Sequence, residues 1–128
     1  MSHFSNIKTQ IRNLDSLKAA LTDLNIDWES GPRSVRGYQG QTRKAEVVVE
    51  QNNDYDIGFS WNGKEYEMVA DLQYWQQDLS VEGFLKRITQ SYAYHTVVKE
   101  TSNQGFQVAQ QQKNEDGSIC LVVQRWSA

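Results

Sequence analysis

The chain has 128 residues, a formal net charge of −3 at pH 7 and a pI of about 5.3. This length suits one domain, and we expect a single domain over residues 1–128. The acidic balance disfavours broad nucleic-acid binding, the short apolar runs exclude a membrane-spanning segment, and the lone cysteine, Cys120, excludes an intrachain disulfide.

The first quarter of the chain predicts a strand followed by a helix. The first ten residues alternate as in a strand, and leucines then recur at three- and four-residue spacing over residues 14–24. That spacing places one apolar stripe on a helix. Asn13 or Asp15 can cap its start, and Asn25 can end it because asparagine tolerates the left-handed conformation. Gly31 and Pro32 then predict a turn.

The middle of the chain predicts β-strands. In "KAEVVVEQ", Ala45, Val47 and Val49 are expected on one face, with Glu46 and Glu50 on the other. The polar run "NND" ends this strand.

A hairpin is predicted next, closed by a two-residue turn at Asn62-Gly63. That turn would place Phe59 opposite Tyr66 and Tyr55 opposite Ala70, with the large apolar side chains of both strands on one face.

The last third predicts a long helix and a second hairpin. Ser80 can cap the helix, and Gly105 can stop it. The segments "FQVAQQQ" and "SICLVVQRW" form the hairpin. The order β-α-β-β-β-β-α-β-β and the short connections indicate an α+β fold, a twisted and mostly antiparallel sheet with two helices packed on one face.

Four stretches resemble the hypothetical chloroplast reading frame thirty-five family of plastids and cyanobacteria. They are "MSHFSNIKTQI", "NLDSLKAALTDLN", "YDIGF" and "NQGFQVAQQQ…GSICLVVQRW". The resemblance covers nearly the whole chain. It implies a location in a cyanobacterial cytoplasm or plastid stroma and an association with photosynthesis, and it carries over no catalytic residues.

No catalytic, cofactor or metal motif is present in the sequence. It contains no glycine-rich phosphate-binding loop and no nucleophile elbow. Its two histidines and single cysteine are not spaced as zinc ligands are. We therefore assign no catalytic residues, no cofactor and no metal. Cys120 is expected to be a buried thiol within a strand, and His95 a partly buried, hydrogen-bonded residue rather than a proton donor.

The segment "RSVRGYQGQTRK" is the best candidate for contact with a partner. Its candidate residues are Arg33, Arg36, Tyr38, Arg43 and Lys44. Gly37 and Gly40 predict a turn that brings its two ends together. The alternative is a solvated hairpin with no binding role, whose charges pair with neighbouring acids such as Glu46 and Glu50. Two further aromatics, Tyr74 and Trp75, are candidate partner contacts, with ordinary packing as their alternative.

Three classes of function remain open on these residues. The favoured one is a small soluble accessory protein that binds a protein partner; the sequence identifies neither that partner nor the oligomeric state. The alternative is a module that binds an anionic small molecule through the basic segment at residues 33–44. An enzyme is the least favoured, because no constellation of reactive groups is present.

Overall fold

A computed structural model of the protein describes residues 3–116 and 118–125. Its helices and strands follow the predicted order. They are β1 (Ser5–Lys8), α1 (Leu14–Asp23), β2 (Glu29–Arg36), β3 (Thr42–Val49), β4 (Ile57–Trp61), β5 (Tyr66–Ala70), α2 (Val81–Asn103), β6 (Phe106–Lys113) and β7 (Ile119–Arg125). Two short 3₁₀ turns lie at Tyr38–Gly40 and Leu72–Tyr74. Trp126, at the end of the last predicted strand, lies outside the described residues.

The strands form two antiparallel sheets. The larger has the order β1-β5-β4-β3-β2, while β6 and β7 pair only with each other. The predicted α+β fold with a mostly antiparallel sheet and two helices is confirmed. The two-stranded sheet lies against α2 rather than extending the larger one.

Both helices begin at the predicted caps and pack into one core. The Asn13 side chain accepts a hydrogen bond from Ser16 N at 2.9 Å, and the Ser80 hydroxyl accepts one from Gly83 N at 3.1 Å. These bonds satisfy amides that a helix start leaves unpaired. Asn25 follows α1 with φ 58°, as predicted. The core unites one face of the sheet with both helices, through Ile11, Leu17, Leu21, Val47, Val49, Ile57, Phe59, Met68, Phe84 and Ile88.

The opposite face of the sheet is covered by the β2–β3 hairpin, which bends over it. Arg36 O accepts a hydrogen bond from Asp56 N at 3.0 Å, and Arg43 Nη1 donates to Asn6 Oδ1 in β1 at 3.1 Å. A Cβ at Gly37 would lie 2.4 Å from the Phe4 ring, so the hairpin tip reaches the far edge of the sheet.

A second small core lies beneath that hairpin. It contains Val35, Ala45 and Val48, with Phe4 packed against it. The prediction that Ala45 shares a face with Val47 and Val49 is therefore wrong. The bend of the hairpin turns Ala45 toward Gly58, where a Cβ would lie 3.0 Å from the Ala45 Cβ.

The predicted two-residue turn at Asn62-Gly63 is also wrong. The strands pair with Trp61 opposite Tyr66 and Phe59 opposite Met68, so residues 62–65 form a longer loop. The Asn62 side chain stabilises this loop by accepting from the amides of residues 64 and 65, at 2.9 and 2.8 Å. The register slips by two residues, and because side chains alternate with a period of two, the same face stays buried.

The turn predicted at Gly31 and Pro32 does not end a strand. Both residues lie within β2, where the pairing with β3 shifts register between Ser30 and Arg33. β2 is an edge strand of its sheet. Proline lacks an amide hydrogen, and edge strands and bulges are the positions in a sheet that tolerate this loss.

Candidate functional site

Three tyrosines from separate parts of the chain stack on the surface, and we call them the tyrosine stack. The rings of Tyr55 and Tyr74 lie 4.0 Å apart between centroids and 9° from parallel. The ring of Tyr38 lies 6.0 Å from that of Tyr74, at 11°. All three side chains are half-buried. The stack therefore presents a continuous, rigid aromatic surface that is still open to solvent.

Each tyrosine is held by a local turn. Tyr38 follows Gly37, whose amide bonds to Gln41 O at 2.8 Å and closes the hairpin tip. Tyr74 ends a 3₁₀ turn that Asp71 caps by accepting from Gln73 N at 3.2 Å. The glycine-flanked turn predicted in the basic segment is thus present between β2 and β3.

One buried side chain, Gln51, joins the loops that carry Tyr55 and Tyr74. Its amide nitrogen donates to Tyr55 O at 2.6 Å, and its oxygen accepts from Gln76 N at 2.9 Å. Asn53 adds a bond to Tyr74 O at 2.8 Å. Because these bonds are made within the protein, the loops that carry Tyr55 and Tyr74 are already ordered before any partner arrives.

Arg36 and Asp56 form the main ion pair beside the stack. The Arg36 Nε and Nη2 donate to the two carboxylate oxygens at 2.9 and 2.8 Å, and the Arg36 amide also donates to Asp56 at 2.8 Å. Asp56 is only 2% exposed, and the paired hydrogen bonds from the Arg36 guanidinium compensate for burying its charge. The hydrogen bond to Asp56 raises the pKa of Arg36 above its ordinary value. A fourth hydrogen bond, from Arg36 Nη1 at 3.1 Å, reaches the exposed Asp54.

The phenol of Tyr55 is neutral near pH 7. Burial, reinforced by Tyr74, raises the pKa of the Tyr55 hydroxyl above its ordinary value of 10. The nearby carboxylate of Asp71 acts in the same direction. Asp71 is 4% exposed, and its Oδ2 accepts no hydrogen bond from the described part of the chain. The stack therefore offers hydroxyl donors and apolar ring area together.

The remaining basic candidates do not gather into one site. Arg33 pairs with Glu29 and lies 3.7 Å from a Glu50 oxygen. Arg43 bonds to Asn6, and its guanidinium carbon lies 5.7 Å from the centre of the Phe4 ring. Lys44 is exposed and forms no ion pair within residues 3–116 and 118–125. Arg33 thus takes acidic partners outside the stack, whereas Arg36 borders it.

Trp75 is placed apart from the stack. Its ring meets the Phe84 ring edge-on at 5.0 Å, and its indole nitrogen donates to Leu79 O at 2.8 Å. Of the residues predicted for partner contact, the structure brings Tyr38 and Tyr74 together. Sequence reasoning missed Tyr55 as a member, because it was assigned to a strand that in fact begins at Ile57.

His95 and Cys120, two residues with side chains suited to acid–base or thiol chemistry, lie outside the tyrosine stack. His95 is half-buried, with its Nε2 3.0 Å from Asp23 Oδ2. Cys120 is exposed, so the prediction of a buried thiol is wrong. It lies in the separate two-stranded sheet, where Val122 and Gln124 of the same strand are exposed as well. Within the described residues no cluster of histidine, cysteine and carboxylates could hold a metal ion.

Comparison with known proteins places the chain among plastid relatives. A family model described as "Protein of unknown function (DUF1257)" matches residues 20–122. The chain is 51% identical to "Uncharacterized protein ycf35" of Guillardia theta, covering 98% of each chain. The proteins of that description from Cyanophora paradoxa and Pyropia yezoensis are each 44% identical, over 98% and 99% of each chain. No solved structure matches. The family resemblance read from the sequence is confirmed.

Proposed function

This chain belongs to the DUF1257 family, and from its geometry we propose that it is a binding protein that docks a protein partner on the tyrosine stack. The observation that carries the proposal is the parallel packing of Tyr38, Tyr74 and Tyr55, which come from three separate turns and remain accessible at the surface.

Preordered aromatic rings suit a protein contact. Tyrosine is enriched at interface hot spots because it brings a large contact area and a polar tip at little cost in side-chain entropy. Here stacking, together with the Gln51 and Asn53 bonds to the loops of Tyr55 and Tyr74, has already met much of that cost. Leu72, in the same short turn as Tyr74, is 37% exposed and adds apolar area on that segment.

The ion pair beside the stack supplies charged surroundings for such a contact. The guanidinium of Arg36 is 44% exposed while it holds Asp56, and Asp54 next to it is 83% exposed. A rim with both signs of charge orients a partner and sets the salt dependence of association.

The alternative, an anionic ligand on residues 33–44, has weaker support. Arg33 and Arg36 already hold carboxylates, so an anion would have to displace Glu29 or Asp56. That exchange would leave a charge unpaired, and for Asp56 the charge would be buried.

We further propose that the protein acts in the plastid stroma, or the cyanobacterial cytoplasm, as an accessory protein connected with photosynthesis. Its similarity to plastid-encoded relatives supports this setting. Within the described residues no helix is both long and apolar enough to cross a membrane.

Site-specific photocrosslinking tests the docking surface. We would place a benzophenone amino acid at Tyr38, and in a control protein at Trp61, an exposed aromatic that packs on Tyr66 and not on the stack. Expression in an alga or cyanobacterium, followed by irradiation, should give a discrete adduct from position 38 that Tyr74→Ala diminishes. Circular dichroism would verify the fold of each variant. Adducts that are absent from position 38, or equal at both positions, would refute the proposal.

A further inference from the structure

A separate cleft opens between the end of α1 and the start of α2. It has a volume of about 400 Å³ and is lined by Leu24, Asn25, Ile26, Gln77, Asp78, Leu79, Phe84 and Arg87. We call it the Arg87 cleft. It is distinct from the tyrosine stack, since it shares no residue with it.

Four of the eight residues that line the Arg87 cleft are apolar. Leu24, Ile26 and Phe84 belong to or pack on the main core, so the cleft exposes part of that core to solvent. Leu79 lines the cleft and is 42% exposed. A volume of this size, lined by apolar and polar side chains together, is within the range of small-molecule sites.

Arg87 supplies the polar group. Its side chain lines this cleft and also an adjoining cavity of about 70 Å³, which Ser91 and Lys113 line as well. In the part of the chain that the structure describes, its guanidinium forms no ion pair or hydrogen bond. Arg36 and Arg33 are both paired, so Arg87 differs from the arginines around the basic hairpin. An unengaged guanidinium beside apolar walls can hold a carboxylate or phosphate in a two-pronged hydrogen bond.

A second cation lies near the Arg87 cleft. Arg87 is on the second turn of α2, which begins at Val81. Lys113 adds a second positive side chain through the adjoining cavity.

We propose that the Arg87 cleft binds a small organic anion, an apolar body that ends in a carboxylate or a phosphate. The anionic group lies on Arg87, and the body packs on Leu24, Leu79 and Phe84. Two carboxylates, Asp78 in the cleft and Asp23 in the adjoining cavity, oppose this charge. Neither is within ion-pairing distance of Arg87, so neither neutralises it. Removing Asp78 should therefore strengthen anion binding.

Titration with matched probes tests the proposal on the full chain. Octanoate, octyl phosphate and octanol share one apolar body and differ in the head group. Nuclear magnetic resonance shifts would report affinity and location. We expect both anions to bind saturably at the cleft, up to about 5-fold more tightly than octanol, the factor that an ion pair with an exposed side chain contributes. A preference between octanoate and octyl phosphate would identify the head group.

Arg87→Gln should abolish the advantage of the anions over octanol. Lys86→Gln, which removes the same charge from the neighbouring residue outside the cleft, should leave that advantage intact. Asp78→Asn should tighten binding of octanoate several-fold. If Arg87→Gln and Lys86→Gln weakened the binding of the anions equally, the preference for anions would come from the overall charge of the protein and not from Arg87. That result would overturn the proposal. Absence of saturable binding, shifts located elsewhere, or weaker octanoate binding by Asp78→Asn would overturn it as well.

Discussion

Replacing Gly58 with alanine should destabilise the protein through a clash with the β2–β3 hairpin. Gly58 lies in β4 beneath the folded hairpin, where a Cβ would come within 2.3 Å of Val35 Cγ2 and 3.0 Å of the Ala45 Cβ. Favourable carbon contacts lie at about 3.5–4.0 Å, so one side must move. Val35 and Ala45 are 0% and 1% exposed, and neither can turn into solvent.

The expected magnitude follows from two opposing effects. Overpacking of a closed core costs about 1–3 kcal/mol, and alanine recovers about 0.5–1 kcal/mol relative to glycine by restricting the unfolded chain. Gly58→Ala should therefore lower the free energy of unfolding by about 1–2 kcal/mol. Val35→Ala by itself should cost a similar amount, because it removes two buried methyl groups at about 0.8 kcal/mol each.

Combining the two substitutions separates this contact from other causes. In the Val35→Ala background the new methyl group occupies the space that the valine leaves, and Gly58→Ala should then cost clearly less, because only the 3.0 Å approach to Ala45 remains. Urea unfolding followed by tryptophan fluorescence measures all four proteins. An equal cost of Gly58→Ala in both backgrounds would show that the hairpin does not pack on Gly58 as described.

Two further predictions concern the helix core and acid stability. Ile88→Ala should cost roughly 2–5 kcal/mol in urea unfolding, since Ile88 is fully buried, whereas Lys86→Ala on the exposed side should change stability by less than about 0.5 kcal/mol. Hydrogen bonds from Asn62 and Asn6 lower the pKa of Glu67 below its ordinary value of 4.5. The ionised carboxylate therefore stabilises the fold above pH 4.5. This stabilisation is lost as the pH falls through the pKa that Glu67 has in the folded protein. Glu67→Gln should thus lose less stability on acidification than the wild type; an equal loss would exclude this contribution.

Local sequence signals were sufficient to predict where the helices begin and end. An N-cap residue, an apolar stripe and a residue in the left-handed conformation at the helix end each act within one or two turns of the chain. Asn13 and Ser80 cap their helices as predicted, and Asn25 ends α1 in the left-handed conformation. The buried face of β4 and β5 was also predictable, because alternation survives a slip of two residues. The register itself was not, since the Asn62 side chain competes with the backbone and stabilises a longer loop.

The sequence by itself therefore determined the element order, the helix limits, the apolar faces of β4 and β5 and the family. The tertiary structure decided which surface residues meet. Gln51 and Asn53 join the loops of Tyr55 and Tyr74. Tyr38 reaches Tyr74 because the β2–β3 hairpin bends over the sheet, and the same bend brings Arg36 to Asp56. Arg87 opens into a cleft because α1 ends beside the start of α2. Such contacts join residues far apart in the chain, and no local propensity or spacing encodes them.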